Sequence, residues 1–355
     1  MIRLTWLQFR AQAVTAAAAL AAFAVVLAAT GPHLANMYAA SGISSCRGAS
    51  CENLATTYLQ ALKADGGDWV YLVSVASILL APALIGLFWG APLIAHELET
   101  GTSALAWTQS ITRTRWLAVK LTVGGLAAMA VTEGMSLMQA WWAAPIGLAV
   151  GHGAHNGDGL LFMGQFSLLV FATHGITPLG YAAFAFTLGV TAGALIGRTV
   201  PAMAIALAVF AVIQIAIPLW IRPHFFPARH TFIPVASLEN TSLSTGSVNG
   251  SNRFTLGVQG LVVPGQPGAW VLSSTTVNAA GRATSTAPAI CSTSSVLNSN
   301  AGFVGCLASH GFQEEVSYQP ASRYWAFQGT ETAIYLALTL ALAGYCFRRL
   351  SRRLS

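Results

Sequence analysis

Charge is the scarcest property of this chain. Asp, Glu, Lys and Arg make up only 8% of its 355 residues, whereas 55% are hydrophobic. An ordinary soluble domain has about 25% charged residues, so this composition excludes a soluble globular protein and predicts an integral membrane protein. The net charge of +6 does not indicate a nucleic-acid partner, because the cations are dispersed and cluster only at the ends of apolar segments.

The chain also lacks the motifs of nucleotide-dependent and hydrolytic enzymes. It has no GxxxxGK[ST] phosphate-binding loop, no GxGxxG after a predicted strand, and no paired carboxylates or nucleophile–base pair. His96 and Glu97 begin like the HExxH motif of zinc proteases, but Thr100 stands where the second histidine is required. We therefore predict no catalytic, cofactor-binding or metal site, and a chain that cannot hydrolyse ATP unaided.

Six apolar segments predict transmembrane helices, because each approaches the length needed to cross a hydrocarbon core about 30 Å thick. They lie at residues 11–30, 69–94, 117–143, 178–196, 201–220 and 332–347. Residues 1–10 mix basic and apolar side chains, which predicts an N-terminal amphipathic helix in the headgroup plane. A secretory signal is the alternative for this start, but the apolar run is long and no clean cleavage site follows, which favours a retained span.

Helix breakers predict that the second span is bent and packed inside the bundle, and small residues recur along the fourth. The second contains two prolines and two glycines between residues 82 and 92, which membrane helices tolerate where neighbours satisfy the freed backbone groups. In the fourth, glycine recurs every four residues at Gly189, Gly193 and Gly197. Such a small-residue face permits close helix packing.

The basic residues orient the spans, because short loops rich in Lys and Arg stay in the cytoplasm. Ten of the seventeen lie in four short segments that successive spans place on one side: Arg3, Arg10, Arg113, Arg115, Lys120, Arg198, Arg348, Arg349, Arg352 and Arg353. The apolar stretch 160–172 is too short to cross, so we expect a re-entrant or interfacial helix there. The sequence therefore predicts a plasma-membrane protein with both termini in the cytoplasm.

Residues 221–325 differ in composition from the rest, being rich in Ser, Thr, Asn and Gly. Alternating patterns at 254–263 and 270–277 predict strands, so we expect a small extracytoplasmic domain that contains β-structure. The chain then divides into a membrane domain with five spans at 1–220, this outer domain, and the sixth span with a basic tail at 326–355.

Four of the five cysteines lie in predicted outer segments. Cys46 and Cys51 belong to the first outer loop, Cys291 and Cys306 to the outer domain, and Cys346 to the cytoplasmic end of the last span. Two pairs outside and a single thiol inside fit an oxidising exterior, so we expect a disulfide within each pair. Free thiols remain the alternative, because short spacing alone does not prove a bridge.

Two polar residues interrupt the third predicted span. Glu133 lies near the middle of the membrane and Gln139 farther out. An ionisable side chain at that depth costs about 2.5 kcal/mol or more unless it faces protein or water, so Glu133 is a candidate functional residue. The alternative is a protonated or hydrogen-bonded contact between helices.

A single polar island, PLIAHELETGTSALAWTQSITRTRWLAVK at residues 92–120, separates the second and third predicted spans. Glu97 and Glu99 open it, and Gly101 then breaks it. Thr102 is a suitable N-cap for a further short helix lying along the membrane, and acidic residues just before it suit the positive end of a helix.

This island resembles the E…GT…L…T…R…K loop of type-2 ATP-binding-cassette (ABC) exporter permeases of the actinobacterial kind. The residues that carry the resemblance are Glu97, Glu99, Gly101, Thr102, Leu105, Arg113, Arg115 and Lys120. In that family the loop carries the coupling helix that docks on a separate ATPase. The resemblance covers residues 95–120 closely and the span layout loosely, and it does not extend to the outer domain.

The resemblance implies a permease subunit of an exporter that moves a hydrophobic or amphipathic substrate, such as a drug, a lipid or a peptide. It further implies two copies of an ATPase subunit that hold ATP and Mg, a second permease copy as homodimer or heterodimer, and surrounding membrane lipid. A second class of function stays open, in which the island is only a topology signal. The chain is then a non-transporting membrane sensor or assembly scaffold whose outer domain binds a ligand.

Overall fold

The computed structural model describes residues 2–46, 50–99, 113–152, 159–238, 243–248, 251–258, 261, 263–284, 288–292 and 300–352. Within these ranges six helical segments are long and apolar enough to cross a membrane, and we number them as spans one to six: Gln12–Ala40, Gly67–Glu99, Arg115–Gly151, Thr177–Ile196, Thr199–His224 and Ala321–Arg349. The predicted class, a mostly helical membrane protein with six spans and a small sheet, is confirmed. We call the end of the bundle near Glu99 the island end and the opposite end the sheet end.

The first and third spans are longer than predicted. One helix runs without a break from Ile2 to Ala40, so the described residues 2–10 of the predicted amphipathic helix continue into the first span rather than forming a separate helix. The third helix, Arg113–Gly151, likewise continues through Pro145. Each extension contributes buried side chains to one apolar cluster with the helix Ser50–Ala64, namely Leu34 from the first and Ile146, Ala149 and Val150 from the second. This packing supports helical backbone that proline disfavours locally.

The fourth span is the centre of the bundle, and most of its side chains are buried. It packs against spans two, three, five and six. The second span widens into a π-helical turn at Gly86–Gly90 where the two spans meet. A Cβ at Gly189 would collide with the backbone oxygen of Gly86, and a Cβ at Gly193 with that of Ala91. The predicted small-residue face is therefore confirmed, because only glycine permits this approach.

The stretch 160–172 does not cross the membrane. It contains a 3-10 turn, Leu160–Phe162, and a helix of six residues, Leu168–Thr173. Phe171 in this helix is fully buried at the sheet end. The short helix Leu168–Thr173 contacts spans two and four, so it covers the sheet end of the bundle.

Five strands follow the fifth span: β1 Arg229–Pro234, β2 Leu243–Val248, β3 Ser251–Val258, β4 Trp270–Val277 and β5 Gln313–Gln319. β1, β5 and β4 form an antiparallel sheet in that order, and β2 and β3 form a separate hairpin. The strand predicted at 270–277 is confirmed, whereas the one predicted at 254–263 begins at Ser251 and ends at Val258. Span five ends at His224 and span six begins at Ala321, so all five strands lie between these spans. The domain division with an outer domain at 221–325 stays a prediction.

Both expected cysteine pairs lie at disulfide distance. The sulfur atoms are 2.05 Å apart in Cys46 and Cys51 and 1.95 Å apart in Cys291 and Cys306. In the second pair Cys306 belongs to the helix Asn300–Ser309, and Cys291 packs against that helix in the sheet domain. Cys346 is buried in the sixth span, where its thiol donates to the Thr191 hydroxyl at 3.3 Å.

Candidate functional site

At the island end, Glu97 joins the second span to the third. The Lys120 Nζ donates to the Glu97 Oε1 at 2.5 Å, and it also lies 4.3 Å from the centre of the Trp116 ring. Only 3% of the Lys120 side chain is exposed, although we predicted this residue among the loop cations. Lys120 instead lies one and a half turns into the third span, because its carboxylate partner and the aromatic ring compensate for burial of the charge.

Glu99 joins the same end of the second span to the fifth. Its Oε1 accepts from the Thr199 backbone N–H at 2.9 Å, and its Oε2 accepts from the Thr199 hydroxyl at 2.7 Å. Thr199 is the first residue of the fifth helix, where free N–H groups carry partial positive charge. The carboxylate therefore caps that helix from another span.

The two glutamates thus hold the second, third and fifth spans together next to the segment that carries the resemblance. Gly101, Thr102 and Leu105 lie outside the described residues. Arg113 is the first residue of the third helix, and the Arg115 side chain is exposed close to it. The structure brings Glu97 and Lys120 together and assigns Glu99 a different partner.

Glu133 and Gln139 lie on the third span without hydrogen-bond partners among the described residues. The Glu133 Oε2 and both amide atoms of Gln139 are buried and unsatisfied. Gln139 is fully buried, and Thr132 and Ser136 are buried beside it on the same helix. Within the described part of the chain neither residue makes a hydrogen-bonded contact between helices, and the alternative of a protonated Glu133 stays a prediction. A functional role for either residue remains a prediction.

Among the described residues the most deeply buried charges lie at the sheet end, and the sequence did not identify them as a site. Arg222 donates from Nε to the Glu331 Oε2 at 2.7 Å and from Nη2 to the Oε1 at 3.0 Å. The Tyr181 hydroxyl donates to the same Oε1 at 2.6 Å. These residues belong to spans five, six and four, so one carboxylate joins three spans. The available signal was an acidic and a basic residue at the same end of two adjacent spans.

An aromatic cluster connects this ion pair to the sheet. The Arg222 guanidinium lies 4.0 Å from the centre of the Phe171 ring. Phe171 in turn packs on Phe166, whose ring stacks on Trp270 of β4 with 5.7 Å between centres. The sheet domain is therefore packed on the bundle end that contains the Arg222–Glu331 pair.

Gln328 of the sixth span forms hydrogen bonds with the backbone of the turn that precedes the fourth span. Its Oε1 accepts from the backbone N–H groups of Ile176 and Thr177, both at 3.1 Å. Its Nε2 donates to the carbonyl oxygens of Phe171 at 3.1 Å and His174 at 3.0 Å. These bonds hold the short helix Leu168–Thr173 against span six.

One group of described residues has the spacing of a metal site. Ligating atoms of Cys291, Cys306 and His310 lie within 4.8 Å of one another. The two sulfur atoms are at disulfide distance, and a disulfide offers no thiolate to a metal. This group therefore fits a disulfide beside a histidine rather than a metal centre.

Comparison with known proteins identifies the membrane region. A family model described as ABC-2 membrane transporter related matches residues 17–222. This is more than half of the chain. The chain belongs to that family. No curated protein and no solved structure matches it.

The family match covers the first five spans of this ABC-2-related protein and includes Glu97, Glu99 and Lys120. It ends at Arg222, so the partner Glu331 and the sheet domain lie outside the matched region. Membership makes the chain a multi-pass membrane subunit of the ABC-2 permease type, and it implies a transporter with an ATPase partner.

Proposed function

We propose that this chain is the permease subunit of an ATP-driven exporter that moves a hydrophobic or amphipathic substrate, such as a drug, a lipid or a peptide, out of the cell. The observation that carries the proposal is the double anchoring by Glu97 and Glu99. Both lie just before residues 100–112, where the resemblance implies the coupling helix. A displacement of that segment acts directly on spans three and five through charge-assisted hydrogen bonds.

In the proposed assembly this chain binds no cofactor, and two ATPase subunits hold ATP and Mg. A second permease copy, identical or different, completes a pathway within the lipid of the plasma membrane. The chain itself supplies no residue set for nucleotide hydrolysis, so the driving force comes from the partner.

We further propose that the island end and both termini face the cytoplasm and that the sheet domain lies outside. Arg115, Arg198 and Arg349 lie at the island end, which supports this orientation because cytoplasmic loops are enriched in basic residues. The two cysteine pairs lie at the sheet end, which suits an oxidising exterior.

Cysteine labelling in intact cells tests the orientation. A membrane-impermeant maleimide should modify Ser247→Cys in the sheet domain and leave Ser355→Cys unmodified until the cells are permeabilised. The reverse pattern would overturn the proposed topology.

Coupling is tested with the purified complex. The wild-type chain should co-purify with an ATP-hydrolysing subunit, and a panel of apolar compounds should stimulate that ATPase. Glu99→Gln keeps the size of the side chain but weakens its bond to the helix terminus, so we expect normal membrane insertion and loss of stimulation. Gly101→Val tests the turn that the resemblance implies, because valine resists a positive φ.

Glu315→Gln is the matched control, since Glu315 is a partly exposed glutamate in β5 of the sheet domain. This variant should keep full stimulation. If the chain is instead a sensor or scaffold, it should co-purify with no ATPase. If the island is only a passive linker, Glu99→Gln and Gly101→Val should be as active as the wild type.

A further inference from the structure

The first span stands apart from the rest of the bundle. In its most apolar window only 6% of the residues are buried, compared with 78% in the fourth span. It packs on the third span, where the Trp142 Nε1 donates to the Thr30 hydroxyl at 2.8 Å. Between the first and second spans lies a cavity of about 900 Å³, which we call the lateral groove.

Three spans line the lateral groove. One wall is the first span from Thr15 to Leu27, the other is the second span from Trp69 to Trp89, and the floor includes Val131 and Met135 of the third span. Near the island end the Gln12 Nε2 donates to the Phe88 carbonyl oxygen at 3.3 Å. This bond joins the two walls at that end.

The lateral groove offers no unsatisfied hydroxyl group to an occupant. Three hydroxyl residues line it: Thr15, Ser74 and Ser77. Each donates to a carbonyl oxygen of its own helix, at 2.9 Å to Gln12, 2.8 Å to Tyr71 and 2.7 Å to Val73. The other polar side-chain groups of the described lining are the indole N–H groups of Trp69 and Trp89 at its two ends. Between these ends the lining does not offer water the two to four polar partners that it needs, so an occupant there is apolar.

The dimensions of the lateral groove select the kind of apolar occupant. At 1.5 Å per residue, the second-span wall is about 30 Å long, which matches the hydrocarbon core of a bilayer. A helix of that length and 10–12 Å across fills about 2,400–3,400 Å³, so only part of such a helix fits inside a groove of about 900 Å³. At about 30 Å³ per methylene, comparable to a water molecule, the groove holds roughly thirty methylene groups. This is the size of the two chains of one phospholipid.

We propose that the lateral groove binds the acyl chains of a membrane phospholipid, which enters sideways from the bilayer. Trp69 is exposed at one end of the wall and Trp89 is partly exposed at the other, as expected for aromatic rings at the headgroup level. The bound acyl chains pack against the first span on the side where the second span does not contact it. The position of the first span then depends on the lipid.

Photolabelling of the full-length chain in liposomes tests this assignment. The probe is a phosphatidylcholine with a diazirine in one acyl chain, and the labelled positions are mapped by peptide mass spectrometry. On the first span, Ala19 and Phe23 line the groove, whereas Val14 and Val25 are exposed outside it. We expect labelling of the groove positions to exceed that of the outer positions at least threefold.

A tryptophan substitution provides a second measurement. Ala81→Trp fills the groove from the second span and should reduce labelling of Ala19 and Phe23 at least threefold. Leu137→Trp is the control, because Leu137 is 62% exposed on the third span and does not line the groove. It should leave the labelling unchanged.

Equal labelling of both faces of the first span, or labelling that persists in Ala81→Trp, would overturn the assignment. So would a disulfide between copies formed by Ser77→Cys together with exclusion of the lipid probe, since a second chain would then cover the groove. These measurements use no ATPase, so the lipid site and the exporter proposal fail or stand separately.

Discussion

Arg222 and Glu331 form a two-pronged ion pair in which neither side chain is more than 1% exposed. They are 109 residues apart in the chain and belong to the fifth and sixth spans. The Tyr181 hydroxyl adds a third bond to the carboxylate. The pair therefore fixes the order of three spans at the sheet end.

Removing one partner of this pair should destabilise the bundle strongly. Arg222→Met leaves a buried carboxylate without its counter-charge, which costs about 3–5 kcal/mol. The double variant Arg222→Met/Glu331→Leu should recover most of that loss, because apolar replacements of a buried pair are often close to neutral. Thermal unfolding in detergent measures both. Arg198→Met, at an exposed arginine, is the control, and a double variant no more stable than the single one would contradict the prediction.

A larger side chain at the contact between the second and fourth spans should prevent their close packing. Gly189→Ala places a methyl group against the Gly86 backbone, and overpacking of this kind costs about 1–3 kcal/mol or more. Gly134→Ala is the matched control in the third span, since no atom lies within 4 Å of its added Cβ. Fluorescence-detected size exclusion should show a loss of folded protein for the first variant only. Equal profiles would mean that the two spans can separate at little cost.

The Glu97–Lys120 pair should behave as a coupled unit. Lys120→Met leaves Glu97 partly buried with no cation, whereas Glu97→Gln/Lys120→Met removes both charges. We expect the double variant to be more stable than Lys120→Met alone. A double-mutant cycle on unfolding midpoints provides the coupling energy, and additive effects would show that the pair does not join the two spans.

The sheet domain should lose stability as the pH rises above the ordinary range of a glutamic acid. Glu314 in β5 is buried and accepts a hydrogen bond from the Thr276 hydroxyl. Burial raises the pKa of Glu314 above its ordinary value of 4.5, although the Thr276 bond acts in the opposite direction. Because the folded state holds the proton more tightly, the stability that Glu314 contributes is fully present below pH 4.5 and is lost as the pH rises through the raised pKa.

Glu314→Gln should remove this pH dependence, because glutamine resembles the protonated carboxyl. Hydrogen exchange of the β4 and β5 amides between pH 4 and pH 8 measures the effect after correction for intrinsic exchange rates. Glu315→Gln, at the partly exposed neighbour, should keep the wild-type slope. A slope that survives in Glu314→Gln would assign the dependence to another group.

The pair Cys291 and Cys306 should stabilise the sheet domain as a disulfide. A closed loop of about fifteen residues contributes about 3 kcal/mol by restricting the unfolded chain, and the separation of this pair is 15. Replacing both cysteines by serine should lower the unfolding midpoint of the sheet domain and leave the membrane bundle assembled. Non-reducing peptide mapping checks the bond, and four alkylatable thiols without reductant would refute both pairs.

The sequence by itself determined the number of spans, the polar island, the placement of the cysteine pairs and the glycine face of the fourth span. Each depends on a local property, such as the length of an apolar run or the spacing of small residues along one helix. The sequence singled out Glu97, Glu99 and Lys120 in the island but not their partners, and a coupling role for these residues stays a prediction.

Only the tertiary structure decided which partners the charged side chains bind. Glu331 finds Arg222 and Glu99 finds Thr199 across about a hundred residues of chain, and composition carries no information about pairing at that distance. Packing also decided where helices end, because Leu34 and Ile146, which lie close to Pro32 and Pro145 in the chain, are buried in one apolar cluster with the helix Ser50–Ala64. The lateral groove also depends on tertiary packing, because the way in which the first and second spans each pack against the third sets the space between them.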